Sequence, residues 1–509
     1  MVLFAIAGSI ESSVPDSAIS TTSSQALTLV YDGLTSFRRV GGSEGTQRVP
    51  NLAVAIPRPR DGGRTYTFRL RPGLHYSNGS IVRPEDFRRA LERIFELGSL
   101  PSEQPGLAAV AGAERCAKGR RCDLARGIVT RGDSITFQLS EPTPFFLRDV
   151  SNVSPIPPGT PQRDVGTKPV PETGPYLIES YVPGRQLTFT RNPHFRVWSE
   201  AARPDGNAEE IIFRIVPEND ERFVSSVAQG RADIALFLPP ERIPEVKRRF
   251  ARQLHEVPEQ ATVFLFLNTK RPPFDDLRVR RALNYAIDRR RVVELRGGAG
   301  SAQVTCQVIW PTAPGYVRYC PYTLDPRPSG EWTAPDRAKA QQLIAASRTR
   351  GQRVTVWAFP YFAKEARYVV SLLRGLGYRA QLHELNDIAA YFAAINDPKT
   401  RAHSGLAGWF GGGVGGSPPI DTLGCDFSGN WAKFCDPEID SRHQNSLSLV
   451  ATDPAAAARM WARIDREIVD QAPWVPLFTP RTSYFVSKRV GNWQYHPGQF
   501  VLLDQLWVR

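Results

Sequence analysis

Apolar positions along the chain fall into blocks of period two or of helical spacing, and two blocks run in the order strand, helix, strand. Residues 211–216 alternate as a strand, and Phe223, Val224 and Val227 share a helical face behind Asn219 or Asp220 as cap. Gly230 ends that helix, and residues 232–238 are extended again. The second block places a strand at 354–359, a helix at 363–374 and, past Gly377, a strand at 378–385. Such units predict parallel pairing through a right-handed crossover. Residues 65–70 (TYTFRL) and 186–191 alternate as antiparallel strands beside turns rich in Pro and Gly, and residues 1–8 read as a first strand. In 273–291, Val279, Ala282, Leu283, Ala286 and Ile287 keep an i, i+3, i+4, i+7, i+8 spacing, which predicts one helix with its apolar face in a core. The class is mixed α/β with more than one sheet.

Length changes this picture by adding domains. The 509 residues amount to roughly three domains at about 150 residues each. Hydrophobic residues at 41% and charged residues at 23% are globular values. The net charge of +13 first suggests nucleic acid, but it is about one charge per forty residues. Its densest runs, 247–252 (KRRFAR) and 289–291, fit solvated helix faces. No segment supplies a phosphate-tracking groove, so no nucleic-acid partner is expected. There is no apolar run of about 18 residues to cross a membrane. The N-terminal residues lack the cationic start of an export signal. An exported form would have lost its signal before residue 1.

The six cysteines form three local couples, Cys116 with Cys122, Cys306 with Cys320, and Cys425 with Cys435. Their even number and local pairing suggest three short-loop disulfides and an oxidising compartment, with buried free thiols as the alternative. A zinc site is weaker still, because no Cys-x-x-Cys occurs and no His stands at ligand spacing. Gly411, Gly413 and Gly416 formally match a dinucleotide fingerprint, but Ser417-Pro418-Pro419 follows where a helix is required. No phosphate-binding loop, nucleophile elbow or zinc-protease motif is present, and His75, His194, His255, His383, His403, His443 and His496 are scattered. No enzyme activity, cofactor or metal is expected.

Several segments, taken in order, closely resemble the large extracytoplasmic solute-binding proteins of ATP-binding-cassette (ABC) importers for peptides, nickel and oligosaccharides, family 5, the oligopeptide-binding type. They are LVYDGL at 29–34, read as a helix, VPNLA at 49–53, and TYTFRLRPGLHYSNGSIVRPEDF at 65–87. TGPYLIESYVPGRQLTFTRNPHF at 173–195, GRADI at 230–234 and FLFLNT at 264–269 follow, then PFDDLRVRRALNYAID at 273–288 and VPLF at 475–478. The resemblance implies a periplasmic-binding-protein-like type II fold (cluster C), with two ligand-gripping lobes, a hinge and an extra inserted domain. By that likeness lobe I takes 1–37, 172–258 and 479–509, lobe II is the insertion 38–171, and lobe III takes 259–478.

The implied function is capture of a peptide-like or other small organic ligand by lobe closure and delivery to the permease of an ABC importer. The protein would be a monomer outside the cytoplasm, lipid-anchored in its full-length precursor. The alternative is a ligand-sensing domain of a larger regulator. In the family a Gly-Trp segment of lobe III lines the cleft, and an Asp after it anchors a peptide's free amine. Here the segment is Gly408-Trp409-Phe410-Gly411-Gly412-Gly413, with Gly412 at the carboxylate position. That departure argues against amine anchoring and for close backbone approach or a bulky ligand. Trp409, Phe410, Gly412, Trp431, Asn430, Tyr361, Trp310 and Ser20 are the candidate ligand contacts. The Trp rings suit a sugar face or an apolar side chain, so a peptide or an oligosaccharide is the expected solute. Nickel is disfavoured because no histidines cluster.

Overall fold

The computed structural model describes residues 2–7, 21–98, 104–163, 165–216, 221–397, 399–400, 402–411, 419–427, 429–450 and 453–509. They divide into two compact units, one drawn from Met1–His255 and Ser483–Arg509, the other from Glu256–Gly411 and Ser417–Thr482.

The first unit contains a mixed sheet in the order Ile234–Ala235, Val2–Ala7, Glu210–Ile215, Gln186–Arg191, Tyr176–Val182. The first three strands are parallel, so the predicted crossover puts its two strands on either side of Val2–Ala7 rather than side by side. Its helix is Arg222–Ala228 with Glu221 as cap, and the second strand is shorter than expected. The expected caps Asn219 and Asp220 lie outside the described residues. Helix Thr21–Leu27 ends before LVYDGL, so residues 29–34, read from sequence as a helix, form turn and extended chain instead. Their backbone bonds go to other segments, Asn51 and Ala53 N–H donating to Leu34 O and Gly174 N–H to Val30 O.

A separate three-stranded antiparallel sheet, Thr65–Arg69, Ser134–Gln138, Ile128–Arg131, packs with helix Pro84–Leu97. Proline opens the helix, Asp86 Oδ2 accepts the Arg83 N–H at 2.9 Å, and Gly98 at φ 65° ends it. Phe87, Leu91 and Phe95 are its buried stripe, and the core they join spans Leu34 to Val170. Deep in the same unit, Arg39 grips Asp504 through two bonds of 2.6 and 2.8 Å, and Arg203 lies 3.1 Å from Asp32.

The second unit's sheet runs Arg379–Glu384, Arg353–Ala358, Ser404–Phe410, Ala261–Leu267, then Trp474–Val486. The first three strands are parallel, and Ala261–Leu267 is antiparallel to both its neighbours. The predicted strand, helix, strand block is realised as Arg353–Ala358, Ala363–Gly375 and Arg379–Glu384. The stretch predicted as one helix is two, Leu277–Ala286 and Arg289–Leu295. Ile287 keeps the apolar pattern across the break, but Asp288 accepts the Arg291 N–H and caps a new helix.

The break serves Arg289, which is fully buried. Its guanidinium donates to Thr305 O, Pro476 O, Asn284 O and Asn284 Oδ1 at 2.8–3.1 Å. Burial lowers its pKa to about 9, so it keeps its charge at neutral pH. All three expected disulfides are present, Cys116–Cys122, Cys306–Cys320 and Cys425–Cys435.

Burial sets a pH dependence. His443, on helix Pro437–Leu449, has neither ring nitrogen bonded among the described residues, and desolvation drops its pKa to about 4, as it does for His403 and His496. The unfolded chain takes up these protons near 6.5 and the folded one only near 4, so this stability is complete above 6.5 and is lost as pH falls toward 4. Asp465, raised to about 6 by burial, acts in the opposite sense, its penalty being relieved as pH falls through 6. Melting temperature should therefore fall from about pH 7 to about pH 5, and fall less in His443→Leu. Parallel pH profiles for the two proteins in thermal unfolding would contradict this.

Candidate functional site

The carboxyl ends of the three parallel strands of the second unit lie on one sheet edge, where open α/β sheets bind ligands. Strand Ser404–Phe410 ends there in two aromatic residues. Pairing with Ala261–Leu267 sets Trp409 opposite Thr262 and Phe410 opposite Ala261. Alternation along the strand sends the two rings to opposite faces, leaving Trp409 half-buried and Phe410 56% exposed.

The Trp409 indole stacks on Trp431 with centroids 5.4 Å apart and planes 7° apart. Phe427 meets it edge-on at 5.7 Å. Trp431 is buried and fixed, its indole N–H donating to Asn396 Oδ1 at 2.7 Å. Behind it lie Phe392 at 5.3 Å, Phe266 at 6.1 Å and Phe264 at 6.4 Å, and Phe264 stacks on Trp474. The rings therefore grade from an exposed rim into the core. Trp409 Nε1 is buried with no acceptor among the described residues.

Trp431 and Asn430 sit in the loop closed by Cys425–Cys435. Asn430 is buried, and its Nδ2 donates to Gly424 O at 2.9 Å and Phe434 O at 2.7 Å, so its amide nitrogen ties the loop to itself. Gly429 keeps the loop close to the strand, since a Cβ there would stand 3.1 Å from Trp409 Cζ2 and 2.7 Å from Phe427 Cε1. Trp310 is buried against the same strand end, where a Cβ on Gly411 would meet its ring at 2.6 Å.

Tyr361, 52% exposed, follows strand Arg353–Ala358. Its ring stacks near Phe359, which reaches Phe392 and so joins the same network. The Arg296 guanidinium lies 3.5 Å from the Tyr361 ring centre, donates to Tyr361 O at 2.9 Å and stands 3.9 Å from Glu365. Burial raises the Glu365 pKa, with Arg296 opposing it. Of the candidates read from sequence, Trp409, Phe410, Trp431, Asn430, Trp310 and Tyr361 are brought to this edge or the network behind it. Gly412 and Ser20 lie outside the described residues.

The sequence reading missed Phe427, an exposed apolar residue against Trp409, and Arg296. Phe427 stands two residues after Cys425, inside a loop already singled out. Nothing in the sequence marks Arg296. Among the described residues no group of three or more His, Cys, Asp or Glu could hold a metal, and no helix is long and apolar enough to cross a membrane.

Comparison with known proteins supplies the lineage. Residues 47–411 match the model of the bacterial extracellular solute-binding proteins, family 5 middle. The probable di/tripeptide-binding protein 5 of Pseudomonas aeruginosa (strain UCBPP-PA14) is 24% identical over 88% of this chain and 85% of its own. The glutathione-binding protein GsiB of Salmonella paratyphi A is 24% identical over 97% of this chain and 91% of its own. The solved structure of clavulanic acid biosynthesis oligopeptide binding protein 2 superposes with a TM-score of 0.81 at 23% identity, covering 100% of this chain and 95% of that one. The fold is thus of the type II periplasmic-binding kind, and the chain belongs to family 5 of the bacterial extracellular solute-binding proteins.

Proposed function

We propose that the protein is the solute receptor of an ABC importer and that it holds a peptide-like ligand at the end of strand Ser404–Phe410, against Trp409, Phe427 and Tyr361 and, on the opposite face of the strand, Phe410. The observation that carries the proposal is the Trp409 indole, stacked flat on the immobilised Trp431 at the end of a strand and met edge-on by Phe427. A ring held in this way is pre-organised, so a ligand side chain that covers it costs little ordering entropy. The relatives named for di/tripeptides and for glutathione, itself a tripeptide, favour a peptide over an oligosaccharide.

Glycine at 412, where the family resemblance expects an acid, disfavours anchoring of a free amine there and favours ligands recognised by apolar or aromatic side chains. Arg296, beside Tyr361, offers a cation to a ligand carboxylate. The reading includes no covalent chemistry, a monomeric receptor, a lipid-anchored precursor, and the permease of the importer as protein partner. It also keeps the three-lobe division expected from sequence, lobe I as 1–37, 172–258 and 479–509, lobe II as 38–171 and lobe III as 259–478. The hydrophobic cluster from Leu34 to Val170 supports lobe II as a body with its own core.

Calorimetric titration and thermal-shift screening against di- to hexapeptides and against oligosaccharides should find ligands among apolar peptides. Silence in both libraries would contradict the receptor reading, and binding of sugars alone would contradict the peptide reading. Trp409→Ala should weaken the best peptide roughly tenfold or more with little change in melting temperature. An unchanged dissociation constant would remove Trp409 from the site. Lobe closure predicts a smaller radius of gyration in solution scattering when that peptide is added, and an identical scattering curve would contradict it.

A further inference from the structure

The second unit holds a cavity of about 400 Å³ that shares no lining residue with the aromatic surface. Its walls are Asp288, Arg290, Arg291 and Glu294 around helix Arg289–Leu295, the segment 332–335, Arg337 at the start of helix Arg337–Ser347, and Tyr368 of helix Ala363–Gly375. Three guanidiniums thus stand against two carboxylates, and both carboxylates are engaged. Asp288 Oδ1 accepts the Arg291 N–H at 3.1 Å, and Glu294 Oε2 accepts from Arg291 Nη1 at 3.1 Å. Arg290 and Arg337 form no ion pair among the described residues, and Arg290 stands 5.5 Å from the centre of the Trp332 ring.

The remaining polar groups of the wall are donors as well. Trp332 Nε1 is buried with no acceptor among the described residues. The Tyr368 hydroxyl oxygen already accepts the Asp288 N–H at 2.9 Å, which leaves its proton to give. The Thr333 hydroxyl is occupied by Thr323. Arg290 and Arg337 are exposed at the cavity's mouth, so an acceptor-rich ligand entering it would exchange water for two guanidiniums and the Tyr368 O–H.

We infer that this cavity binds a small oxyanion, a carboxylate or phosphate group, clamped by Arg290 and Arg337 with Trp332 as wall and the Tyr368 hydroxyl as a further donor. Planar guanidiniums match both oxyanions through paired charge-assisted bonds. The inference does not depend on the peptide reading, because the two sites use different residues. It makes the protein a receptor with an anion site outside its solute site.

The test is calorimetric titration of the full chain at low ionic strength with inorganic phosphate and, separately, with citrate. Saturable binding of at least one anion is expected, and which of the two saturates tells phosphate from carboxylate chemistry. The double variant Arg290→Gln/Arg337→Gln should bind it roughly tenfold or more weakly while binding peptide as the parent does. Tyr368→Phe, which keeps the ring and removes the O–H, should weaken the anion without unfolding the chain. Unsaturable heats with both anions, or an unchanged dissociation constant in the double variant and in Tyr368→Phe, would overturn the inference.

Discussion

The second unit is organised by the antiparallel register between strands Ala261–Leu267 and Ser404–Phe410. All seven residues of the first strand are buried, so slipping it by one position would turn its side chains to the opposite face and strand Thr262 and Phe264 in the wrong layers. The same register puts Trp409 opposite Thr262 at the strand's end, within stacking distance of Trp431. The platform is thus a consequence of strand pairing, and the Cys425–Cys435 loop supplies its second layer. Rings behind it continue inward through Phe264 to Trp474, coupling the surface to the core.

Polar side chains in the interior act as ties between distant segments. Arg289 joins the helix break at 287–288 to Thr305 and to strand Trp474–Val486 using neutral acceptors alone. Asp465 receives the N–H groups of Val308 and Ile309 at 3.0 and 3.1 Å and the Gln307 amide at 2.6 Å, which fixes the segment leading to Trp310. In the first unit, Arg39 with Asp504 and Arg203 with Asp32 connect chain ends far apart in sequence. Removing one partner of such a buried pair costs about 3–5 kcal/mol, because the other charge is left without compensation. These groups define one arrangement of the chain more than they add net stability.

Much of this architecture was legible in the sequence because single elements bury single faces. Residues 353–384 gave their strand, helix, strand order through periodicity alone, and the cysteine couples gave all three disulfides through spacing. The break after Ala286 was hidden because Ile287 keeps the apolar rhythm while Asp288 changes the backbone. LVYDGL misled because its apolar residues serve an irregular segment whose backbone groups bond to Asn51, Ala53 and Gly174. Trp409 was visible through the Gly-Trp resemblance. Phe427 and Arg296 were not, because what places a residue at a sheet edge is pairing between strands far apart in sequence, and no local pattern records it.

The Trp409 platform is tested most directly by a crystal structure of the protein with its tightest-binding peptide. The account predicts a ligand side chain within about 4 Å of the Trp409 or Phe410 ring. Ligand density elsewhere, with both rings left uncovered, would contradict it.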